Sequence, residues 1–167
     1  MPEQRAVPLF KVKMSDKAPD AVAAVLRSGY IGQGQKCDEF EDLLKAHFGN
    51  DDCVIVNSGT SALQLAAHMI RTSEPWEADF KCLGSPMTCF ATWAAILAAN
   101  IGIKWCDVKQ DLNMDLDDVE RKLDEKTRIL MVVHWGGNPV DMRRVAEIKD
   151  RYELMFGKEL HVIEDCA

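Results

Sequence analysis

Apolar residues follow two different patterns along this chain. In the first fifty residues they recur at helical spacing, as Phe40 and Leu43 do within one amphipathic stretch. This spacing predicts helices over residues 16–27 and 36–48, joined by a glycine-rich turn at 29–34. Beyond residue 50, short continuous apolar runs alternate with amphipathic stretches, which indicates a change of architecture.

The alternating region predicts five strands and four helices. The strands cover residues 53–57, 81–85, 101–108, 128–134 and 160–164, and the helices cover 60–71, 91–99, 116–123 and 140–152. Nearly continuous apolar strands are typical of a parallel sheet with helices on both faces. The sequence therefore predicts an α/β fold with three αβα layers and a mainly parallel sheet. A helical segment, 1–50, would precede this sheet domain, 51–167.

The turn after the first predicted strand is the first candidate for chemistry. There the run Ser58-Gly59-Thr60-Ser61 opens a helix. The first N–H groups of a helix have no partner within it, and the helix dipole adds partial positive charge. Such a turn can hold a phosphate or another small anion. The alternative is ordinary capping, in which Ser58 or Thr60 satisfies its own helix.

Polar residues also follow the other predicted strands. Thr88 and Cys89 come after the second strand, His134 after the fourth, and Glu164 and Asp165 close the fifth. Because ligands of such sheets sit at the carboxyl ends of the strands, these residues should line one site.

Composition excludes several classes of function. The net charge is -7 and no run of Lys or Arg occurs, which argues against nucleic-acid binding. No apolar stretch reaches the roughly 18 residues of a membrane span, and no apolar signal core begins the chain. We therefore expect a cytoplasmic protein. The six cysteines form no Cys-x-x-Cys and do not cluster with histidines, so we expect no metal site and mostly reduced core thiols.

Six segments, in order, resemble the DegT-type nucleotide-sugar aminotransferases, which are pyridoxal 5'-phosphate (PLP) enzymes of fold type I. They cover residues 29–41, 57–63, 85–92, 107–130, 134–142 and 162–167, for example Asn-Ser-Gly-Thr-Ser-Ala-Leu and Ile-Glu-Asp-Cys-Ala. The resemblance implies the large domain of that fold. It also implies PLP-dependent amino transfer to a nucleotide-linked keto sugar from glutamate or glutamine, by a homodimer whose active site lies at the subunit interface.

The resemblance implies a role for each matching residue. Gly59, Thr60 and Ser61 would hold the PLP phosphate, in agreement with the anion site inferred above. Asp165 would pair with the pyridinium nitrogen, which keeps the ring able to accept electrons. Without the resemblance, Asp165 would be interpreted as a helix cap after a strand.

Cys89 departs from the pattern of the family. Many members carry at this position an aromatic residue that stacks on the PLP ring. Either Cys89 covers the ring as a small, soft surface or Phe90 substitutes for the aromatic residue, while core packing is the alternative for Phe90. For His134 a structural role at the strand end is favoured. The glycines of residues 29–34 either shape a turn or lie near the substrate entrance.

The Schiff-base lysine of the family lies beyond Asp165, past the last residue of this sequence. Lys158 precedes the last predicted strand and would lie at the opposite end of the sheet. We therefore expect the N-terminal half of a roughly double-length enzyme, without its C-terminal domain and inactive alone.

Three alternatives stay open at this point. One is a sugar dehydratase of the same family, in which histidine replaces the lysine and the cofactor acts as pyridoxamine phosphate. Another is a non-catalytic fragment or subunit that pairs with a complete partner. The third, a dinucleotide-binding domain, is disfavoured because Gly32 and Gly34 lack the third glycine of that motif.

Overall fold

The computed structural model describes residues 12–75 and 79–167, which belong to two compact units divided between Ile55 and Val56. The first unit contains the helices α1 (Ala18–Ser28) and α2 (Gln35–Phe48). The second contains the helices α3 (Gly59–Ser73), α4 (Phe90–Ala98), α5 (Leu116–Lys122) and α6 (Met142–Phe156), and the strands β1 (Lys81–Gly84), β2 (Gly102–Trp105), β3 (Thr127–Val133) and β4 (His161–Asp165). No helix in the described ranges is both long and apolar enough to cross a membrane.

The four strands form one parallel sheet in the order β2-β1-β3-β4. They match four of the five predicted strands to within a few residues, apart from β2, which is shorter at its carboxyl end. The chain leaves β2 early because the N–H of Asp107 turns to the carboxylate of Asp118, at 2.6 Å. The predicted α/β fold with a parallel sheet is therefore confirmed.

Helices cover both faces of the sheet, as the continuous apolar strands predicted. In β3, Ile129 and Met131 point to the core formed with α3 and α4. The alternate residues Leu130 and Val132 point to the opposite core, formed with α5 and α6. All four side chains are fully buried. Successive side chains of a strand point to opposite faces, so a strand covered on both sides needs apolar residues at every position.

Helix α6 differs from the predicted helix 140–152 at both ends. It begins after Asp141, whose side chain accepts hydrogen bonds from the N–H groups of Arg143 and Arg144 at 3.1 and 3.3 Å. A carboxylate that caps two free N–H groups fixes the start of a helix. The helix continues to Phe156 and ends at Gly157, whose φ of 62° is left-handed.

The predicted strand over residues 53–57 is wrong for this structure. These residues have no strand neighbour among the described residues and are irregular. Val54 is 66% exposed and Val56 is 40% exposed. An apolar run becomes a strand only where a second strand supplies hydrogen-bond partners, and none of the four strands pairs with this run.

Candidate functional site

The carboxyl ends of the four strands form one edge of the sheet, here called the carboxyl edge. From β1 the chain crosses by α4 to β2, whereas from β3 it crosses by α6 to β4, in the opposite direction. The two helices cover opposite faces. The chain thus diverges between the ends of β1 and β3, and a divergence of this kind opens a crevice where α/β sheets bind ligands. Ser85 and His134 are the first residues after these two strands.

Asp165 is the last residue of β4 and is only 9% exposed. Its Oδ2 accepts a hydrogen bond from the hydroxyl of Thr92 at 2.7 Å, and its Oδ1 accepts one from the N–H of Ala167 at 3.2 Å. No cationic side chain among the described residues lies within ion-pair distance of it. Both donors are neutral, so neither compensates the negative charge of the carboxylate. The carboxylate also keeps lone pairs that can accept from a cationic N–H group of a ligand.

Helix α3 runs antiparallel to the strands. Glu74, which follows the C-terminus of α3, forms an ion pair with Arg128 near the start of β3. The guanidinium of Arg71 lies over the ring of Phe80, which precedes β1, at 5.3 Å. Both contacts place the C-terminus of α3 at the amino ends of the strands. The N-terminus of α3 therefore points toward the carboxyl edge.

The N-terminus of α3 combines a cap with open donors. Ser58 Oγ accepts a hydrogen bond from the N–H of Ser61 at 3.1 Å, so the capping alternative is part of the structure. No acceptor among the described residues of this unit pairs with the N–H groups of Gly59 and Thr60. The hydroxyl of Thr60 is likewise exposed. Capping by Ser58 thus uses one donor and leaves others available to an anion.

His134 has the structural role expected at the end of β3. Its Nδ1 accepts a hydrogen bond from the N–H of Val140 at 3.1 Å, and its Nε2 lies 3.2 Å from Glu164 Oε2. A ring nitrogen that accepts carries no proton, so in the neutral ring the proton is on Nε2 and is donated to Glu164. The histidine therefore links the ends of β3 and β4 to the start of α6.

The same hydrogen bonds argue against a metal ion at this point. His134, Glu164 and Cys166 bring ligand atoms within 4.8 Å of one another. A metal on Nε2 would need that nitrogen without its proton, while Nδ1 is already an acceptor. The pKa of the Cys166 thiol is raised, mainly by partial burial and to a smaller extent by the negative charges of Glu164 and Asp165. A raised pKa disfavours the thiolate, which is the form that binds metals.

A buried asparagine fixes the turn that follows β3. Asn113 is 5% exposed. Its Nδ2 donates to the carbonyl of Asn138 at 3.1 Å, and its Oδ1 accepts from the N–H of Trp135 at 3.2 Å. An amide that satisfies both a donor and an acceptor of one loop holds that loop in a single conformation. This side of the carboxyl edge is therefore rigid.

The start of α4 corrects two expectations. Phe90 is 75% exposed, so core packing is the wrong interpretation for it. Cys89, at the N-cap of α4, is exposed as well. Only Cys82 and Cys106 of the six cysteines are buried, so the prediction that most of them are core residues is wrong. Cys89 and Phe90 thus present two uncovered side chains next to the loop that leaves β1.

Thr92 is the residue that sequence reasoning missed. In the sequence it is only one position of a segment that resembles a family, yet it is fully buried and contacts Asp165 directly. The only sequence signal for Thr92 is the Thr88-x-x-x-Thr92 spacing, which puts two hydroxyls on one side of a helix start.

Lys158 lies at the opposite end of the sheet, as expected from the sequence. Its Nζ donates a hydrogen bond to the carbonyl of Glu125 at 3.1 Å, before the start of β3.

A family model matches residues 13–167, and it describes the DegT/DnrJ/EryC1/StrS aminotransferase family. The chain therefore belongs to this family of aminotransferases, as the six segments indicated.

Similar solved structures agree with this assignment. AtS13 from Actinomadura melliaura is 49% identical with a TM-score of 0.90, over 98% of this chain and 43% of that one. The sugar aminotransferase CalS13 from Micromonospora echinospora is 39% identical with a TM-score of 0.87, over 97% of this chain and 43% of that one. The fold class expected from the sequence is thereby confirmed.

A curated relative is the UDP-4-amino-4,6-dideoxy-N-acetyl-beta-L-altrosamine transaminase of Campylobacter jejuni. It is 31% identical over 138 residues, which are 81% of this chain and 35% of the relative. The chain thus spans less than half the length of the relatives it matches.

Solved structures of lower identity share the fold and include cofactor forms. The putative sugar aminotransferase Spr1654 from Streptococcus pneumoniae is 23% identical over 96% of this chain and 43% of that one, with a TM-score of 0.83 in its PLP form. It has also been solved in a form with pyridoxamine phosphate. The cofactor expected from the sequence is thus present in a protein that shares this fold.

Proposed function

We propose that this chain supplies the PLP-binding part of an aminotransferase that acts on a nucleotide-linked keto sugar. The observation that carries the proposal is Asp165. Its buried carboxylate, held by neutral donors at the carboxyl edge, is suited to accept a hydrogen bond from a protonated ring nitrogen. A buried carboxylate is costly unless it is paired or well hydrogen-bonded. A cationic ligand would complete the set of partners that Thr92 and Ala167 begin.

Three groups of residues would hold the cofactor. The N–H groups of Gly59 and Thr60, with the hydroxyls of Thr60 and Ser61, would bind its phosphate at the N-terminus of α3. Asp165 would hold the proton on the ring nitrogen. Cys89, which is exposed beside the β1 loop, would cover one face of the ring.

When bound, PLP supplies a ring that accepts electrons from the carbon next to the transferred amino group. The contribution of this chain is binding and orientation, together with the negative charge of Asp165 at the ring nitrogen. The nucleotide-linked sugar, the glutamate or glutamine donor, the homodimer and the cytoplasmic location are parts of the same proposal. The nucleotide-linked sugar is supported by the names of relatives. The amino donor, the homodimer and the location rest on the resemblance to the family alone.

Binding of pyridoxamine phosphate to the 167-residue chain tests the proposal. This form of the cofactor is preferable to PLP because it does not react with surface lysines. Thr60→Val removes one hydroxyl donor and keeps the shape of the side chain. A hydrogen bond to a charged group contributes about 1.5–3 kcal/mol, so affinity should fall by roughly tenfold or more.

Thr72→Val is the matched control on the same helix. The Thr72 hydroxyl bonds to the carbonyl of His68 at the far end of α3, away from the carboxyl edge. This variant should bind as the unchanged chain does. The proposal fails if the unchanged chain does not bind pyridoxamine phosphate, or if both variants lose affinity equally.

A further inference from the structure

Two threonines and Asp165 form a continuous hydrogen-bonded chain at the carboxyl edge. The Thr92 and Asp165 oxygens are 2.7 Å apart, although the residues are 73 positions apart in sequence. The hydroxyl oxygens of Thr88 and Thr92 are 2.8 Å apart. Thr92 is fully buried, and Thr88 is half-buried in the loop before α4.

The donors in this chain have one possible direction. A carboxylate can only accept, so the single hydroxyl proton of Thr92 goes to Asp165. The oxygen of Thr92 can then only accept from Thr88, which donates its own proton. The network therefore runs from Thr88 through Thr92 to Asp165.

Packing alone does not require a hydroxyl at position 92. A valine has nearly the shape of threonine and would fill a buried apolar site without a polar group that needs a partner. Within a helix, moreover, a threonine hydroxyl commonly bonds back to the carbonyl three or four residues earlier. The hydroxyl of Thr92 instead crosses to the end of β4, where it fixes one oxygen of Asp165.

We propose that Thr92 is a positioning residue for Asp165 and that Thr88 orients the Thr92 hydroxyl. The inference rests on the proposed function, since its purpose is to aim the carboxylate at the ring nitrogen of the cofactor. With Oδ2 held by Thr92 and Oδ1 by Ala167, the carboxylate plane cannot rotate freely. Both donors are neutral, so this restraint leaves the negative charge for the ligand.

The test compares two probes that differ at one atom. One is pyridoxamine phosphate, and the other is an analogue in which a C–H group replaces the ring nitrogen. Dissociation constants are measured on the 167-residue chain and its variants. Thr92→Val should weaken binding of pyridoxamine phosphate by roughly two- to tenfold, because the ligand must then immobilise an Asp165 side chain that the free protein no longer holds. Binding of the analogue should be unchanged, because the analogue makes no use of Asp165. Thr92→Ser keeps the hydroxyl and should therefore bind pyridoxamine phosphate nearly as tightly as the unchanged chain.

Thr127→Val is the matched control for general destabilisation. Thr127 is also fully buried, and its hydroxyl also donates to an aspartate, Asp124 Oδ1, at 2.9 Å. That pair lies at the start of β3, at the opposite edge of the sheet. The variant removes the same type of bond and should leave both dissociation constants unchanged.

Each remaining outcome counts against a defined claim. If Thr92→Val weakens both probes equally, or neither, Thr92 does not position Asp165 and the inference is wrong while the proposed function stands. If the unchanged chain binds the two probes equally well, Asp165 does not contact the ring nitrogen. If it binds neither probe, the proposed function fails and the inference falls with it. Should Thr92→Val not fold, Thr88→Val at the half-buried end of the network must show the same selective loss, though smaller.

Discussion

Gly84 lies where the sheet and α4 come closest, and replacing it with alanine tests how tightly the site is supported. Gly84 is buried in β1, an interior strand. A Cβ atom built on Gly84 would lie 2.7 Å from Trp93 Cη2 and 2.9 Å from the carbonyl oxygen of Met131. Both distances are shorter than van der Waals contact, so at least one neighbour must move.

Neither neighbour can move cheaply. The Met131 carbonyl belongs to β3, which pairs with β1, so displacing it distorts the centre of the sheet. The Trp93 ring is 5% exposed and packs edge-on against Trp105, with ring centroids 4.7 Å apart. Overpacking of a core costs about 1–3 kcal/mol. Alanine has less conformational entropy than glycine in the unfolded chain, and this difference offsets about 0.4–1 kcal/mol of the overpacking cost.

We therefore expect Gly84→Ala to lower the free energy of unfolding by about 1–2 kcal/mol. For a chain of this length, that corresponds to a fall in melting temperature of roughly 2–8 °C. Gly102→Ala is the matched control, since its Cβ would meet only the flexible Lys81 side chain at an ordinary 3.5 Å. Thermal and urea unfolding of the two variants give the comparison. Equal stability of Gly84→Ala and Gly102→Ala would refute the close-approach argument.

Two further predictions concern buried titrating groups. The hydrogen bond from Lys122, at 2.8 Å, holds the pKa of the Asp118 carboxyl below its usual 3.8, although burial opposes this. A carboxyl whose pKa is lower in the folded than in the unfolded state stabilises the fold at pH values above its unfolded-state pKa. This contribution to stability is lost as the pH falls through the folded-state pKa. Urea unfolding should therefore show stability falling below about pH 4, and less steeply for Asp118→Asn; equal slopes would contradict this. Burial raises the pKa of Cys106 to about 12 and raises that of Cys82 as well. Iodoacetamide at neutral pH should label the exposed Cys89 in the folded chain but should label these two thiols only after unfolding, as read by mass spectrometry; labelling of Cys106 in the folded chain would count against the assignment.

The sequence by itself determined the sheet and its layers. The run over residues 129–133 is apolar at every position, and this is typical of a strand with a core on each face. Alternation of strands and helices then required parallel strands, whose carboxyl ends share one edge. That topology, which follows from the order of the elements, is enough to place Asp165 and the polar residues after the other strands at the carboxyl edge.

Tertiary structure decided the features that depend on distant neighbours. The run over residues 53–57 is as apolar as the true strands, but a strand is defined by its hydrogen-bond partner, and no local pattern reveals whether one exists. Phe90 is apolar and nevertheless exposed, because packing around the start of α4 is not encoded in hydrophobicity alone. The hydrogen bond between Thr92 and Asp165 could not be inferred from spacing, since it joins a helix and a strand through the fold. Local periodicity specifies which face of an element is buried, whereas the contacts that aim a functional carboxylate exist only once the elements have packed.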